Sequence, residues 1–97
     1  MEKIIDPISR EILKKELNKD RFLRYTRKGD NEIYCVDFHN SPNVVREIGR
    51  LREVSFRGGG GGTGLSIDLD DFDTSPNCYK QLIVWSPEDE AIVGGYR

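Results

Sequence analysis

The sequence predicts a single α+β domain with two helices packed on antiparallel strands. Two stretches carry apolar residues at helical spacing, each opened by a proline-containing cap, and four short runs rich in β-branched and aromatic residues fall into two pairs separated by turn residues. Ninety-seven residues, 11.1 kDa in all, are enough for one core and exclude two domains. With 36 % hydrophobic residues that core is modest. No apolar run exceeds four residues, so neither a membrane span nor a signal-peptide core is predicted, and a cytoplasmic location is expected.

Residues 1–20 read as an N-terminal helical unit. Asp6 accepts from the first free amides, Pro7 takes the first helical position, and Ile8, Ile12, Leu13 and Leu17 make the apolar stripe, which ends near Asn18. Phe22 to Thr26 and Ile33 to Phe38 then read as strands of a hairpin, since Arg27 to Glu32 between them holds Gly29, Asp30 and Asn31. Ser41-Pro42 opens a second helix running to about Arg57. On its wheel Val44, Val45, Ile48, Leu51 and Phe56 share one arc, while Arg46, Arg50, Glu53 and Arg57 gather opposite, on a face expected to meet solvent.

Arg52 breaks that division. It lies within the apolar arc, where a guanidinium either finds a carboxylate or reaches past the arc's edge to water. Candidate partners follow in Asp68, Asp70, Asp71 and Asp73, four carboxylates in six residues, which repel one another unless a cation sits among them. The segment lacks the ligand series of a calcium-binding EF-hand loop. Tyr79 to Trp85 and Ala91 to Tyr96 are the strongest strands and should pair through the turn at Ser86 to Glu90. The chain stops at Arg97 on this last strand, so it is expected to be part of a longer one, and the exposed strand edge offers a pairing surface to a second copy.

Gly58 to Gly62 form an uninterrupted run, which predicts a flexible loop over residues 58–66, either ordering over a substrate or serving as a plain linker. With Arg57 the run matches an Arg-x-x-Gly-x-Gly phosphate cradle. It follows a helix and precedes an acidic loop, however, whereas a cradle follows a strand and opens a helix. Cys35 and Cys78 lack metal-ligand spacing and read as reduced and structural, and a Cys35–His39 nucleophile pair on a strand would lie about 13 Å apart. Neither a metal nor a bound cofactor is expected. The net charge of −2 hides a gradient: +4 over residues 1–28, −1 over 29–57 and −5 over 58–97. It argues against a strongly basic DNA binder, no RNA-binding signature is present, and the first segment should attract an acidic partner.

Glu47 to Arg57, Asp68 to Asp73 and Ile92 to Arg97 together resemble the bacterial acyl-carrier-protein-dependent N-acyltransferases of the GNAT fold. These make ornithine or glycine lipids, are often labelled hemolysin-like, and are relatives of the acyl-homoserine-lactone synthases. The synthases share Arg and Phe four apart on a helix, acid-x-Asp-x-x-Asp in a loop, and an Arg closing the next strand after Gly. Here those positions are Arg52 and Phe56, then Asp68, Asp70 and Asp73, then Arg97, within a match covering residues 33–97. Asp68 stands where the synthases favour Glu, and the glycine run replaces their Trp after the helix.

The resemblance implies the N-terminal half of a GNAT-like fold, inactive without the C-terminal half. It further implies a reaction in which an amino-acid amine attacks the thioester of an acyl-carrier protein. Arg52, Asp68, Asp70, Asp73 and Arg97 would be the catalytic set, as an Arg–Asp network or in direct contact with substrate, and Phe56 and Trp85 would bind substrate. The acidic carrier protein would meet the basic first segment, as anionic membrane lipid also could. A noncatalytic membrane- or protein-binding module and a lactone-synthase-like enzyme are the alternatives.

Overall fold

The structure is a computed structural model and describes residues 2–69, 71–76 and 78–96. In chain order the elements are α1 (Arg10–Glu16), β1 (Phe22–Tyr25), β2 (Glu32–Val36), α2 (Pro42–Gly58), the single turn α3 (Asp71–Thr74), β3 (Gln81–Ser86) and β4 (Ala91–Tyr96). The four strands form one antiparallel sheet in the order β1-β2-β3-β4. The expected α+β class and antiparallel pairing are therefore present. Several boundaries differ: β2 ends at Val36 and β3 begins at Gln81, each inside the expected run. Helix α1 starts at Arg10 with Ser9 as its cap, whose Oγ accepts from the Ile12 amide, so Asp6-Pro7 lies in the extended lead-in. Within the acidic segment, read from sequence as loop, α3 adds one helical turn.

Alternation along β2 and β3 fixes which face is packed. Tyr34, Val36, Ile83 and Trp85 point to one side, where Leu13 and Leu17 of the α1 region and Val44 and Ile48 of α2 meet them. The apolar arc of α2 thus divides along its length. Val44, Val45 and Ile48 in its first two turns are buried, while Phe56 near its end is 53 % exposed.

Glu16, at the end of α1, closes the N-terminus of α2. Its carboxylate accepts from the backbone amides of Asn43 at 3.2 Å and Val44 at 2.8 Å and from the Asn43 side-chain amide at 2.9 Å. Ser41, in the cap position, makes no side-chain cap hydrogen bond. A carboxylate there satisfies orphan donors and opposes the positive end of the helix dipole, tying α1 to α2 through charge as well as apolar contact.

The opposite face of α2 corrects the wheel. Of Arg46, Arg50, Glu53 and Arg57 only Arg46 is exposed. Residues 2–9 and 59–69 run across this face, and the charged side chains beneath them are held in pairs: Glu47 with Arg50 at 2.7 Å, Glu53 with Arg57 at 2.5 Å. Glu47 also accepts from the Ile8 amide at 3.2 Å. Among the described residues no helix is long and apolar enough to cross a membrane. Glu16→Ala removes the surrogate cap and should cost about 1–2 kcal/mol, read as a lower urea midpoint with an unchanged slope.

Candidate functional site

Arg52 projects from α2 beside β3 and finds the carboxylate its position demands. Its Nη1 lies 3.3 Å from Asp73 Oδ2 and its Nη2 lies 3.4 Å from Gln81 Oε1, while Gln81 Nε2 donates to Asp73 Oδ1 at 3.1 Å. Asp73 is 1 % exposed, and Arg52 and Gln81 are among the partners that a buried carboxylate requires. The three side chains come from α2, α3 and the first residue of β3, and they close a ring that Gln81 completes. Gln81 was not foreseen from sequence; its place as a polar residue facing inward at the start of an apolar strand was the available signal.

Beside the ring, the second half of α2 and strand β4 enclose an apolar cleft of about 470 Å³. Ile48, Leu51, Arg52, Val54, Ser55 and Phe56 form the helical wall, and Ile92, Val93, Gly94 and Gly95 form the strand wall. Its volume and composition, apolar with one charged group, are those of a small-molecule pocket. Arg52 and Phe56 both line the cleft. Trp85 is elsewhere: it is 4 % exposed in the core, as its inward position on β3 requires, and it does not line the cleft. Asp70 and Arg97 lie outside the described residues.

Asp68 is half-buried and positioned by backbone. Its amide donates to the Gly49 carbonyl of α2 at 3.0 Å. The chain can pass this close only because residue 49 has no side chain: a Cβ there would sit 2.6 Å from Ile67 Cγ1 and from Leu69 Cγ. Upstream of this crossing, Glu53 receives the loop. One oxygen accepts from the Thr63 amide at 3.0 Å and from its hydroxyl at 2.7 Å; the other accepts from Arg57 Nε at 2.5 Å and from the Gly64 amide at 3.0 Å. The Thr63 hydroxyl, the Thr63 amide, Arg57 and the Gly64 amide together outweigh the cost of burial and hold the Glu53 carboxyl down at about 2, against an ordinary 4.5.

Glu53 is the residue that sequence reasoning misplaced. The signal available was Arg57 four residues on, directly before the glycine run, where a carboxylate could gather the amides of returning chain.

Two known proteins match the whole chain. The protein of Bacteroides thetaiotaomicron is 62 % identical over 97 residues, and that of Phocaeicola vulgatus is 60 % identical over the same length. Both are named glycine N(alpha)-acyltransferase. The chain spans 29 % and 30 % of their respective lengths. No protein-family model and no solved structure matches it.

Two outcomes are expected from the loop's contacts with α2. Gly49→Ala gains about 1 kcal/mol of helix propensity but forces Ile67 and Leu69 apart at a cost of about 1–3 kcal/mol, so a net loss of stability is expected on urea unfolding. Because the Glu53 carboxyl titrates lower in the folded chain, its stabilisation is complete above the ordinary value and is lost as pH falls from 4.5 toward about 2. The stability gap between wild type and Glu53→Gln should therefore be wide near neutral pH and close toward about pH 2; a gap independent of pH would contradict the assignment.

Proposed function

We propose that the chain is the acceptor-binding part of an N-acyltransferase that attaches a fatty acyl group to the α-amine of glycine. The identity of 60–62 % along the whole chain to two proteins named for that activity is the observation that carries the reading. The geometry accords with it. An amino acid needs a group for its carboxylate and one for its amine, and the acyl chain needs apolar surface. A guanidinium has five N–H donors, and the contacts of Arg52 to Asp73 and Gln81 occupy two nitrogens in a fixed orientation. The remainder can take the acceptor carboxylate in a forked pair, while Phe56 and the aliphatic walls of the cleft meet apolar parts of the reactants.

In this reading the donor is an acyl thioester on an acyl-carrier protein. The glycine ammonium binds near the acidic segment, loses a proton to a base, and attacks the thioester carbonyl. A C–N bond forms, the C–S bond breaks, and the phosphopantetheine thiol leaves with a proton. Asp68, Asp70 and Asp73 bind the ammonium or brace Arg52 and Arg97. The arrangement is read as the first half of a GNAT-like acyltransferase that feeds aminolipid synthesis. Lys15, Lys19, Arg24, Arg27 and Lys28 are exposed and would steer the acidic carrier protein, whereas Lys14 is held at 2.5 Å by Glu90.

The test uses the full-length protein with glycine and a fatty acyl-carrier-protein thioester, with N-acylglycine measured by mass spectrometry. Product is expected with the wild type. Arg52→Lys should raise the glycine KM about 10- to 100-fold, because an ammonium cannot reproduce the fork. Absence of N-acyl product with glycine and with every other amino acid would overturn the reading.

A further inference from the structure

We propose that Glu53 is a positioning residue of the acceptor site: it fastens the chain that leaves the glycine run, and so sets the path of the segment that crosses Gly49 at Asp68 and reaches Arg52 at Asp73. The proposal rests on the reading of the cleft as an acceptor site. Glu53 is 0 % exposed and cannot meet a substrate. Its two oxygens are instead occupied by the four donors from Arg57, Thr63 and Gly64.

The need for such a fastening comes from the glycine run itself. Five consecutive glycines have more backbone freedom than any other five residues, and Gly60 and Gly62 hold φ at +88° and +94°, which other residues rarely adopt. The amides of Gly59, Gly60 and Gly61 turn the run on the last carbonyls of α2, and a further contact must deliver the residues beyond it to one place. Glu53 does so at the first residue after the glycines. The approach is close: a Cβ on Gly62 would lie 2.9 Å from Glu53 Oε2 and 3.0 Å from Arg57 Cγ.

Further contacts with α2 continue the line. Arg57 Nη2 donates to the Leu65 carbonyl at 2.6 Å, the Gly49 carbonyl receives the Asp68 amide, and Arg52 receives Asp73. The segment from 63 to 73 is thus tied at its two ends by adjacent residues of one helical turn, Glu53 at the start and Arg52 at the finish. Displacing the start moves Asp68 and strains the ring at Asp73. Glu53→Gln keeps the volume but turns an amide N–H₂ toward donors, so it removes acceptors without opening a cavity.

The experiment compares full-length wild type, Glu53→Gln and Thr63→Val by hydrogen exchange and by acylation kinetics. Glu53→Gln should accelerate exchange in peptides covering 59–69, leave those covering 81–86 unchanged, and raise the glycine KM about 10- to 100-fold with the acyl-donor KM within about twofold. Thr63→Val removes one donor and should shift both readouts the same way by less. If Glu53→Gln also loosens 81–86, Thr63→Val decides by the same criteria.

Faster exchange in 59–69 with an unchanged glycine KM would overturn the positioning role and leave the proposed activity standing. Unchanged exchange would overturn the fastening itself. A wild type that acylates no amine would overturn the acceptor-site reading, and the positioning role with it, whatever the exchange shows.

Discussion

A helix with charged side chains on both flanks can be covered on both sides only if every buried charge meets an opposite charge or a set of donors. Helix α2 meets that condition at each point where chain crosses it. Glu47 takes Arg50 and the Ile8 amide, Glu53 takes Arg57 and the loop, and Arg52 takes Asp73 and Gln81. Its N-terminus is closed by Glu16 from α1. The sheet supplies the apolar half of the core, and these charge pairings determine where everything else in the chain can lie.

The parts of the fold that were legible in the sequence are those governed by periodicity. Helix α2, from Pro42 to Gly58, and strand β4, from Ala91 to Tyr96, follow their apolar spacing closely. The choice facing Arg52 was readable too, because a cation within an apolar arc must find a carboxylate or reach water, and Asp73 decides for the carboxylate. The covered back of α2 was not readable. Irregular chain covers a helix through backbone amides and polar side chains, so the face beneath it has the composition of a solvated one. Trp85 shows a related difficulty: a large aromatic residue in an inward position serves packing as readily as recognition, and here it packs in the core with Leu17, Tyr34 and Ile83.

Glycine has two separate uses here. Gly49 lets the loop backbone touch the helix backbone, so that Asp68 is placed by a main-chain hydrogen bond. Gly94 and Gly95, beside Ile92 and Val93, leave part of the β4 wall of the cleft as bare backbone. Substrate recognition at such a site would depend as much on missing side chains as on those present.

The attachment of Thr63 and Gly64 to Glu53 also separates the length of the glycine turn from the register of the acidic segment. Between Gly58 and Gly61 the chain turns on the last carbonyls of α2 before it reaches the anchor, and lengthening such a loop is cheap, about 0.6 kcal/mol for each doubling. One residue more or less in that stretch would be absorbed before the anchor. The same change between Thr63 and Asp73 would shift each carboxylate by a position relative to α2. An insertion or deletion in this chain would accordingly be absorbed before Thr63 and not after it.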